Sequence, residues 1–421
     1  MLTVRENSIK SFLLLVAVFI FYLWLSLPYY SGDVKNHLIW GTSILKDGLL
    51  GFYQREFHDF SFPNYPPISM LLFAASVWLY NFVYHWATYL NLRFPFFPSG
   101  IIPFLQWENV QISFLKLTAI IPLILIGFLV YKYSKTSTLR QSGIFYSLIF
   151  LLNPAIIYLS VIWGQNDLLQ NFFLILAIYL LLKEKLWWSY FTAGLAILSK
   201  QTVLMLWLLY LFVVFKRYGL KKSLSGLIVS LGLLFISYLP FHSLSLVWPF
   251  DFYRETLKTT GYLVSDNAIN LWGLLFNFAK IDAGSIFLGL PLETWGYGLF
   301  IVLVTPTLYY FWKKRFAEEK VFHLFFIISS FYFLVLTRMH ERYLIPTILF
   351  ASILVIFKKK LYWFNLIFFS ILHLLNLYRG LLQPDIPIFN MLTISVVFLD
   401  ILVLGYIILL GVNAYQFFKN D

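Results

Sequence analysis

The chain has 421 residues, of which 60% are hydrophobic and only 12% are charged, and its formal net charge is +12. Because a soluble domain carries roughly 25% charged residues, this composition excludes an ordinary soluble globule and predicts a polytopic membrane protein surrounded by lipid. The absence of cysteine excludes disulfides, thiol catalysis and thiolate metal sites. The basic residues form short clusters between apolar runs, which argues against nucleic acid as a partner.

The chain begins with an apolar segment, Ser11–Pro28, which follows Arg5 and Lys10 and lacks a small-residue cleavage site. We interpret it as an uncleaved anchor. Further apolar segments cover 66–90, 107–131, 141–162, 168–182, 187–199, 202–215, 223–247, 295–312, 321–336, 344–357, 361–377 and 388–416. Since a span needs about 20 apolar residues, we expect an all-α bundle of about 12–13 transmembrane helices. We treat residues 1–421 as a single transmembrane domain.

Basic clusters separate many of these segments. They are Lys132, Lys135 and Arg140; Lys183 and Lys185; Lys216, Arg217, Lys221 and Lys222; Lys313, Lys314, Arg315 and Lys320; and Lys358, Lys359 and Lys360. The positive-inside rule places them in the cytoplasm. We therefore expect a multi-pass protein of the inner or plasma membrane, whose functional groups lie on the extracytoplasmic face. The connections between successive spans alternate between the outer and the cytoplasmic side only if 66–90 is re-entrant or lies partly along the outer interface.

The first outer loop contains a short helical pattern with polar groups on one face. Asp33 begins this pattern, and His37 and Trp40 follow at i+4 and i+7, so the three share a face. We expect the helix to lie in the membrane interface. Asp33 is either the N-cap of this helix or a functional carboxylate. The later Asn64-Tyr65-Pro66-Pro67 segment either returns the loop to the membrane at a fixed angle or begins a helix.

Two short connections carry polar groups that a turn does not require. In the first, Trp163 fits an aromatic belt, whereas Gln165 and Asp167 are suited to bind sugar hydroxyls or to orient another polar group. Asp167 equally fits a helix cap. In the second, Lys200 and Gln201 lie between apolar stretches. A charge in that setting is costly and indicates a functional site.

Two later outer segments complete the set of candidate residues. We expect a sugar-binding platform at Asn267, Asn270 and Trp272. The segment Thr337–Pro346 contains Arg338, His340, Glu341 and Arg342. Arginine forks match phosphate oxygens, although an internal salt-bridge cluster around Glu341 is the alternative.

Isolated charges also lie within the apolar segments. Asp400 lies in the last apolar segment, where its partner is either Lys116 or a polar group on a neighbouring helix. The histidines show no metal-ligand spacing, so we expect no metal.

Taken together, these motifs resemble the GT-C superfamily of polytopic glycosyltransferases, in particular the bacterial membrane enzymes and the endoplasmic-reticulum glucosyltransferases that extend lipid-linked oligosaccharides. The resemblance covers about residues 11–350, and 351–421 would add C-terminal transmembrane helices. It rests on GDVKNHLIW, GLLGFY, NYPPIS, NPAIIYLSVIWGQND, SKQ, DNAINLW and MHERYLIP, in that order.

The resemblance implies transfer of a sugar from a polyprenyl-phosphate carrier, with inversion, to the hydroxyl of a glycan or glycolipid acceptor. It maps the catalytic base onto Asp33 and a basic motif near the donor phosphate onto His340, Glu341 and Arg342. A second acidic residue beside the first, found in metal-using relatives, is absent, so we expect neither a metal nor another cofactor. The alternatives are a transporter or flippase of lipid-linked glycans and an O-antigen-type polymerase or ligase.

Overall fold

The computed structural model describes residues 2–58, 61–136, 143–242, 247–259 and 261–419. Within these residues, nineteen α-helices account for most of the chain, and the four β-strands have only two residues each. Most buried apolar side chains belong to one connected core. The prediction of an all-α polytopic membrane protein is confirmed at this level.

The helices of the first half are α1 (Leu2–Ser26), α2 (Gly32–Asp47), α3 (Pro67–Arg93), α4 (Ile101–Gln106), α5 (Glu108–Thr136), α6 (Gly143–Leu151), α7 (Pro154–Ile157), α8 (Asp167–Leu182), α9 (Leu186–Ile197), α10 (Leu204–Tyr218) and α11 (Leu220–Tyr238). Those of the second half are α12 (Trp248–Thr259), α13 (Leu271–Leu275), α14 (Leu292–Lys313), α15 (Glu318–Val335), α16 (Ile345–Leu354), α17 (Lys360–Leu381), α18 (Pro387–Ile394) and α19 (Val396–Lys419). A π-helix, Tyr158–Trp163, continues α7, and 3-10 turns cover Phe52–Gln54, Gln201–Val203, Glu341–Leu344 and Val355–Phe357.

Fewer helices than expected are long and apolar enough to cross a membrane. Among the described residues, six helices qualify by length and composition, and the pair formed by α6 and the segment Pro154–Trp163, bent by 51°, would make a seventh. We expected about 12–13 spans because we counted every apolar run as one. Several runs form shorter helices, such as α9 with 12 residues and α16 with 10.

The basic clusters converge at one end of the bundle, as the sequence predicts for a shared membrane face. The contacts that join them are Tyr133 with Glu318 at 2.7 Å, Lys359 with Glu319 at 2.6 Å and Arg217 with Glu184 at 3.2 Å. We call this the basic end, defined by Lys132, Lys183, Lys216, Lys314 and Lys359. Arg140 lies outside the described residues.

The opposite end is organised around one buried ammonium group. Lys116, in the third turn of α5 and without solvent exposure, donates to the carbonyl oxygens of Ser26, Tyr29, Val161 and Ile162. These carbonyls lie at the end of α1, before α2 and in the π-helix. The ammonium group is therefore held by four backbone carbonyls and not by Asp400. We call this the polar end, defined by Lys116 and the four residues whose carbonyls it binds, Ser26, Tyr29, Val161 and Ile162.

The helix α3 lies along the polar end, although its length would allow it to cross a membrane. In its first turn, Ser69 accepts a hydrogen bond from Asn166 at 2.9 Å, and Asn166 follows the π-helix. Eighteen residues later, at about 1.5 Å per residue, Ala87 packs in one cluster with Leu27 and Val110, which are also at the polar end. An interfacial position for 66–90 fits these contacts, and its unbroken helix excludes a re-entrant hairpin.

Short β-pairings connect the later loops. β1 (Ser265–Asp266) pairs in parallel with β4 (Met339–His340), and β2 (Ile286–Phe287) pairs antiparallel with β3 (Leu290–Pro291). The first pairing joins the loop that follows α12 to the segment that follows α15. It thereby brings two of the predicted outer segments together.

Candidate functional site

Asp33 lies in the first turn of α2, at the polar end. The helix begins at Gly32, with Ser31 as its N-cap residue, so Asp33 is not the cap. Its Oδ2 instead accepts a hydrogen bond from the amide of Gln165. Gln165 is fully buried and comes directly after Gly164, where the chain turns from the π-helix toward α8. The amide therefore fixes the direction of the carboxylate.

Opposing effects act on the ionisation of Asp33. Burial by itself would raise the pKa of Asp33, but the nearby groups outweigh it and hold this pKa below its ordinary value. These groups are the charge of Arg342, the hydrogen bond from Gln165 and the charge of Lys200, in order of decreasing effect. Asp33 is therefore an ionised carboxylate at neutral pH, and it is able to accept a proton from a bound hydroxyl.

His37 is enclosed by aromatic rings one helical turn from Asp33. It stacks on Phe73 with centroids 4.0 Å apart, meets the edge of Tyr65 at 5.3 Å and lies 5.7 Å from Trp40. Burial lowers the pKa of His37 to about 3, so its ring is neutral at physiological pH. Neither ring nitrogen has a hydrogen-bond partner among the described residues. The imidazole therefore remains available to a polar group of a ligand.

Lys200 forms a buried ion pair with Asp167. Its Nζ lies 2.8 Å from Asp167 Oδ2, and the two side chains are 5% and 1% exposed, so water screens the pair poorly. The ammonium also lies 5.0 Å from the centre of the Tyr65 ring. Beside it, Gln201 donates to the carbonyl of Asn64 at 3.1 Å, which ties the 3-10 turn to the residues that begin α3.

Arg342 provides the second cation near Asp33. It pairs with Glu341 at 3.0 Å; the Glu341 side chain is almost completely enclosed, whereas that of Arg342 is 16% exposed. Burial raises the pKa of Glu341, although Arg342 and His340 oppose the change. The Nε of Arg342 has no partner among the described groups. The guanidinium therefore keeps hydrogen-bonding capacity for a further anion.

The pairing of β1 with β4 places His340 beside Asp266. The His340 Nδ1 and Asp266 Oδ2 atoms are 3.2 Å apart, and this hydrogen bond is the main cause that holds the pKa of Asp266 below its ordinary value. Asn267 continues the contact through a bridge to His340. Arg338, in contrast, pairs with Glu293 at the start of α14, at 2.9 Å.

Asn270 and Trp272 make internal hydrogen bonds. Asn270 caps α13 by accepting from the backbone of Gly273 at 3.2 Å, and it donates to the carbonyl of Phe333 at 3.3 Å. The indole of Trp272 donates to the carbonyl of Val335 at 2.9 Å. Both side chains are buried. In this structure they anchor the loop after β1 to the end of α15.

The structure thus brings part of the predicted set together. The groups that act on the Asp33 carboxylate are His37, Tyr65, Gln165, Lys200 and Arg342. Next to them lie Trp40, which contacts His37 and Tyr65; Asp167, which pairs with Lys200; Gln201, which follows Lys200; and Glu341 and His340 beside Arg342. Gly380 lies close to both Trp163 and Glu341. A Cβ added at Gly380 would lie 2.6 Å from the Trp163 ring and 2.9 Å from Glu341, so Trp163 is near this group of residues.

Sequence reasoning did not identify the structural roles of Lys116, Ser69 and Gly380. The only sequence signal for Lys116 was its position as a lone lysine in an apolar segment. Ser69 and Gly380 carry no signal in the sequence that would have indicated their roles. Among the described residues, no three His, Asp or Glu side chains are grouped closely enough to hold a metal ion. Comparison with protein-family models finds no match, and comparison with curated proteins finds none either.

Proposed function

We propose that the protein is an inverting glycosyltransferase that moves a hexose, such as mannose or glucose, from a polyprenyl-phosphate donor to a hydroxyl of an extracytoplasmic glycan or glycolipid acceptor. One observation carries the proposal. An ionised carboxylate, Asp33, is oriented by Gln165 at the end of a membrane bundle and lies in the field of two cations, the buried Lys200 and the largely buried Arg342. This combination matches a base for the acceptor next to cations for a departing phosphate.

In the proposed reaction, Asp33 removes the proton from the acceptor hydroxyl. The acceptor oxygen forms a bond to the anomeric carbon as the bond from that carbon to the phosphate oxygen breaks. The polyprenyl phosphate leaves with the bonding electrons, and no general acid is needed because the phosphate is a good leaving group. Inversion follows from a single attack on the opposite face. His37 and Trp40 shape the acceptor side.

The donor phosphate binds on the Arg342 side of the site. In the free protein the charges of Lys200 and Arg342 are matched by those of Asp167 and Glu341. Because burial already raises the pKa of Glu341, an incoming phosphate favours protonation of this carboxyl and frees the Arg342 fork. A protonated Glu341 then donates a hydrogen bond where it had been an acceptor. Lys200 and His340 support the phosphate from either side.

The exchange Asp33→Asn tests the base. It keeps the shape and the contact with Gln165 but removes the proton acceptor, so we expect the purified protein to lose sugar transfer from a polyprenyl-phosphate donor by about 100-fold or more. Asp47→Asn is the matched control, since Asp47 ends the same helix and is exposed. Donor binding to the Asp33→Asn protein should persist. Transfer at the wild-type rate would refute the assignment of the base.

A transporter of lipid-linked glycans is the second candidate. It is favoured by the 51° break between α6 and the segment Pro154–Trp163, because transporters place binding sites at discontinuous helices. The buried pair of Asp167 and Lys200 fits the same interpretation, since Asp167 follows the Pro154–Trp163 segment in the chain. Vesicles that contain the purified protein distinguish the two functions. A transporter moves the lipid-linked sugar across the bilayer without acceptor, whereas a transferase converts it only when acceptor is present.

A further inference from the structure

A pocket lined by charged and polar side chains opens at the basic end, far from Asp33. It has a volume of about 570 Å³ and lies between α15, α17, α19 and the residues that follow α14. This volume falls within the range of about 300–1,000 Å³ that is common for ligand pockets. The basic side chains that line it are Arg315, Lys320 and Lys359. None of the residues proposed for sugar transfer contributes to it.

A chain of hydrogen bonds forms one wall of this pocket. Glu319 accepts from Lys359 at 2.6 Å and from the hydroxyl of Tyr362 at 2.5 Å. His323 continues inward, with its Nε2 3.3 Å from Asn413 Oδ1. Tyr362 and His323 are 1% and 4% exposed, so the wall is part of the core of the bundle. The network joins three helices and holds the charged groups in defined positions.

The charge balance selects an anion. Among the described residues that line the pocket, three are cationic and one, Glu319, is anionic, and Glu319 is engaged by Lys359 and Tyr362. Arg315 is exposed at the mouth, where its planar fork is suited to phosphate oxygens. An isolated surface cluster would leave its lysines fully solvated, whereas here Lys320 and Lys359 are partly buried at the border of the pocket. The chemistry that fits is a phosphate group with one or two negative charges.

The surroundings indicate a lipid as the source of that phosphate. Trp312 and Phe418 expose apolar rings close to this end of the bundle, Trp312 at the end of α14 and Phe418 at the end of α19. Aromatic side chains of this kind lie at the level of lipid headgroups, and basic pockets between helices at that level bind anionic headgroups. We propose that this pocket binds the phosphate of an anionic phospholipid headgroup and that the bound lipid joins α15, α17 and α19.

Thermal unfolding of the full-length protein tests this proposal. The protein is purified in a non-ionic detergent, and its unfolding midpoint is followed by tryptophan fluorescence in mixed micelles that contain phosphatidylglycerol or phosphatidylcholine with the same acyl chains. A third arm adds inorganic phosphate without lipid. We expect phosphatidylglycerol to raise the midpoint in a concentration-dependent way and phosphatidylcholine to have little effect. A rise with inorganic phosphate as large as that with phosphatidylglycerol would refute the lipid as the ligand.

Paired variants separate the pocket from the general positive field of the basic end. The double exchange Arg315→Ala and Lys320→Ala should weaken the response to phosphatidylglycerol roughly tenfold or more in concentration. The matched control is Lys221→Ala with Lys222→Ala, which removes two exposed cations from the start of α11, outside the pocket. Equal losses in both variants, or no response in the wild-type protein, would overturn the proposal. Sugar transfer serves as an independent readout, because it does not involve these residues.

Discussion

At the scale of single residues, the polar end is built from charges that are matched in the free protein. Asp167 neutralises Lys200, and Glu341 neutralises Arg342. Asp33 is the acidic group without an ion-pair partner of its own in this set, and it is held by the neutral amide of Gln165. Its ionisation therefore depends on how many positive groups act on it at a distance and on that one hydrogen bond.

The pH dependence of transfer tests this arrangement. Because the surroundings lower the pKa of Asp33, its carboxylate stays ionised as the pH falls to the ordinary range of a carboxyl, and the acid limb of kcat/KM should lie below that range. Gln165→Leu removes a hydrogen bond that favours the ionised form, so the pKa should rise. We expect the limb to move to higher pH by about one unit, the equivalent of a hydrogen bond to a charged group.

The control for this experiment is Gln170→Leu. Gln170 is also a buried amide near the start of α8, but it bonds to Thr202 and does not contact Asp33. Its exchange should lower stability without moving the acid limb. An unchanged limb in Gln165→Leu, or an equal shift in both variants, would show that the hydrogen bond to Asp33 does not set the profile.

At the scale of elements, the π-helix and the turn after it determine where Gln165 points. Gly164 ends the π-helix with φ +85°, a left-handed conformation that favours glycine. A Cβ at this position would lie 2.8 Å from Val34 and 2.9 Å from Lys116. The turn, the aliphatic part of the Lys116 side chain and the first turn of α2 therefore pack against one another without space for a side chain.

Gly164→Ala should consequently affect both stability and transfer. The left-handed backbone alone costs about 1–2 kcal/mol, and the contact with Val34 and Lys116 displaces Gln165 from Asp33. Gly51→Ala is the matched control, since Gly51 has φ +70° and an added Cβ would come no closer than 3.9 Å to the nearest side chain. We expect both variants to lower the unfolding midpoint and only Gly164→Ala to reduce transfer, by about tenfold or more. Equal activity in both variants would contradict this role of the turn.

At the scale of the whole molecule, two helices in succession stay at the polar end. α2 begins at Gly32, at this end, and the residues after α2 return to it, where the backbone N–H of Gly51 donates to the carbonyl of Phe241 beyond α11. α3 then follows the same end from Ser69 to Ala87. With α2 and α3 at this end, α1 and α5 run in opposite directions through the bundle, which agrees with the described basic residues lying at the other end.

Cysteine labelling tests this topology directly, since the chain has no cysteine of its own. Single exchanges at the exposed positions Leu50→Cys, Ser99→Cys and Lys221→Cys are treated in intact cells with a membrane-impermeant thiol reagent. We expect the first two to react from outside and Lys221→Cys to react only after permeabilisation. Labelling of Ser99→Cys together with Lys221→Cys would mean that α3 crosses the membrane. Labelling of all three from one side would refute the arrangement of the two ends.

The sequence alone determined what depends on composition and on short spacing. Apolar runs and clustered lysines predict a helical membrane protein with a basic end, and the i, i+4 spacing places His37 beside Asp33. The number of spans could not be read in this way, because hydropathy does not distinguish a crossing helix from one such as α3 that lies along an interface.

Only the tertiary structure decided how distant residues meet. The pairing of Asp167 with Lys200, the bond from Gln165 to Asp33 and the four carbonyls around Lys116 join residues 33 to 132 positions apart. No local pattern encodes such contacts, since each depends on how several helices pack. Packing also gave Asn270 and Trp272 internal partners, although their residue types equally suit a sugar platform. The physical reason is that a buried polar group must find a partner wherever the fold supplies one.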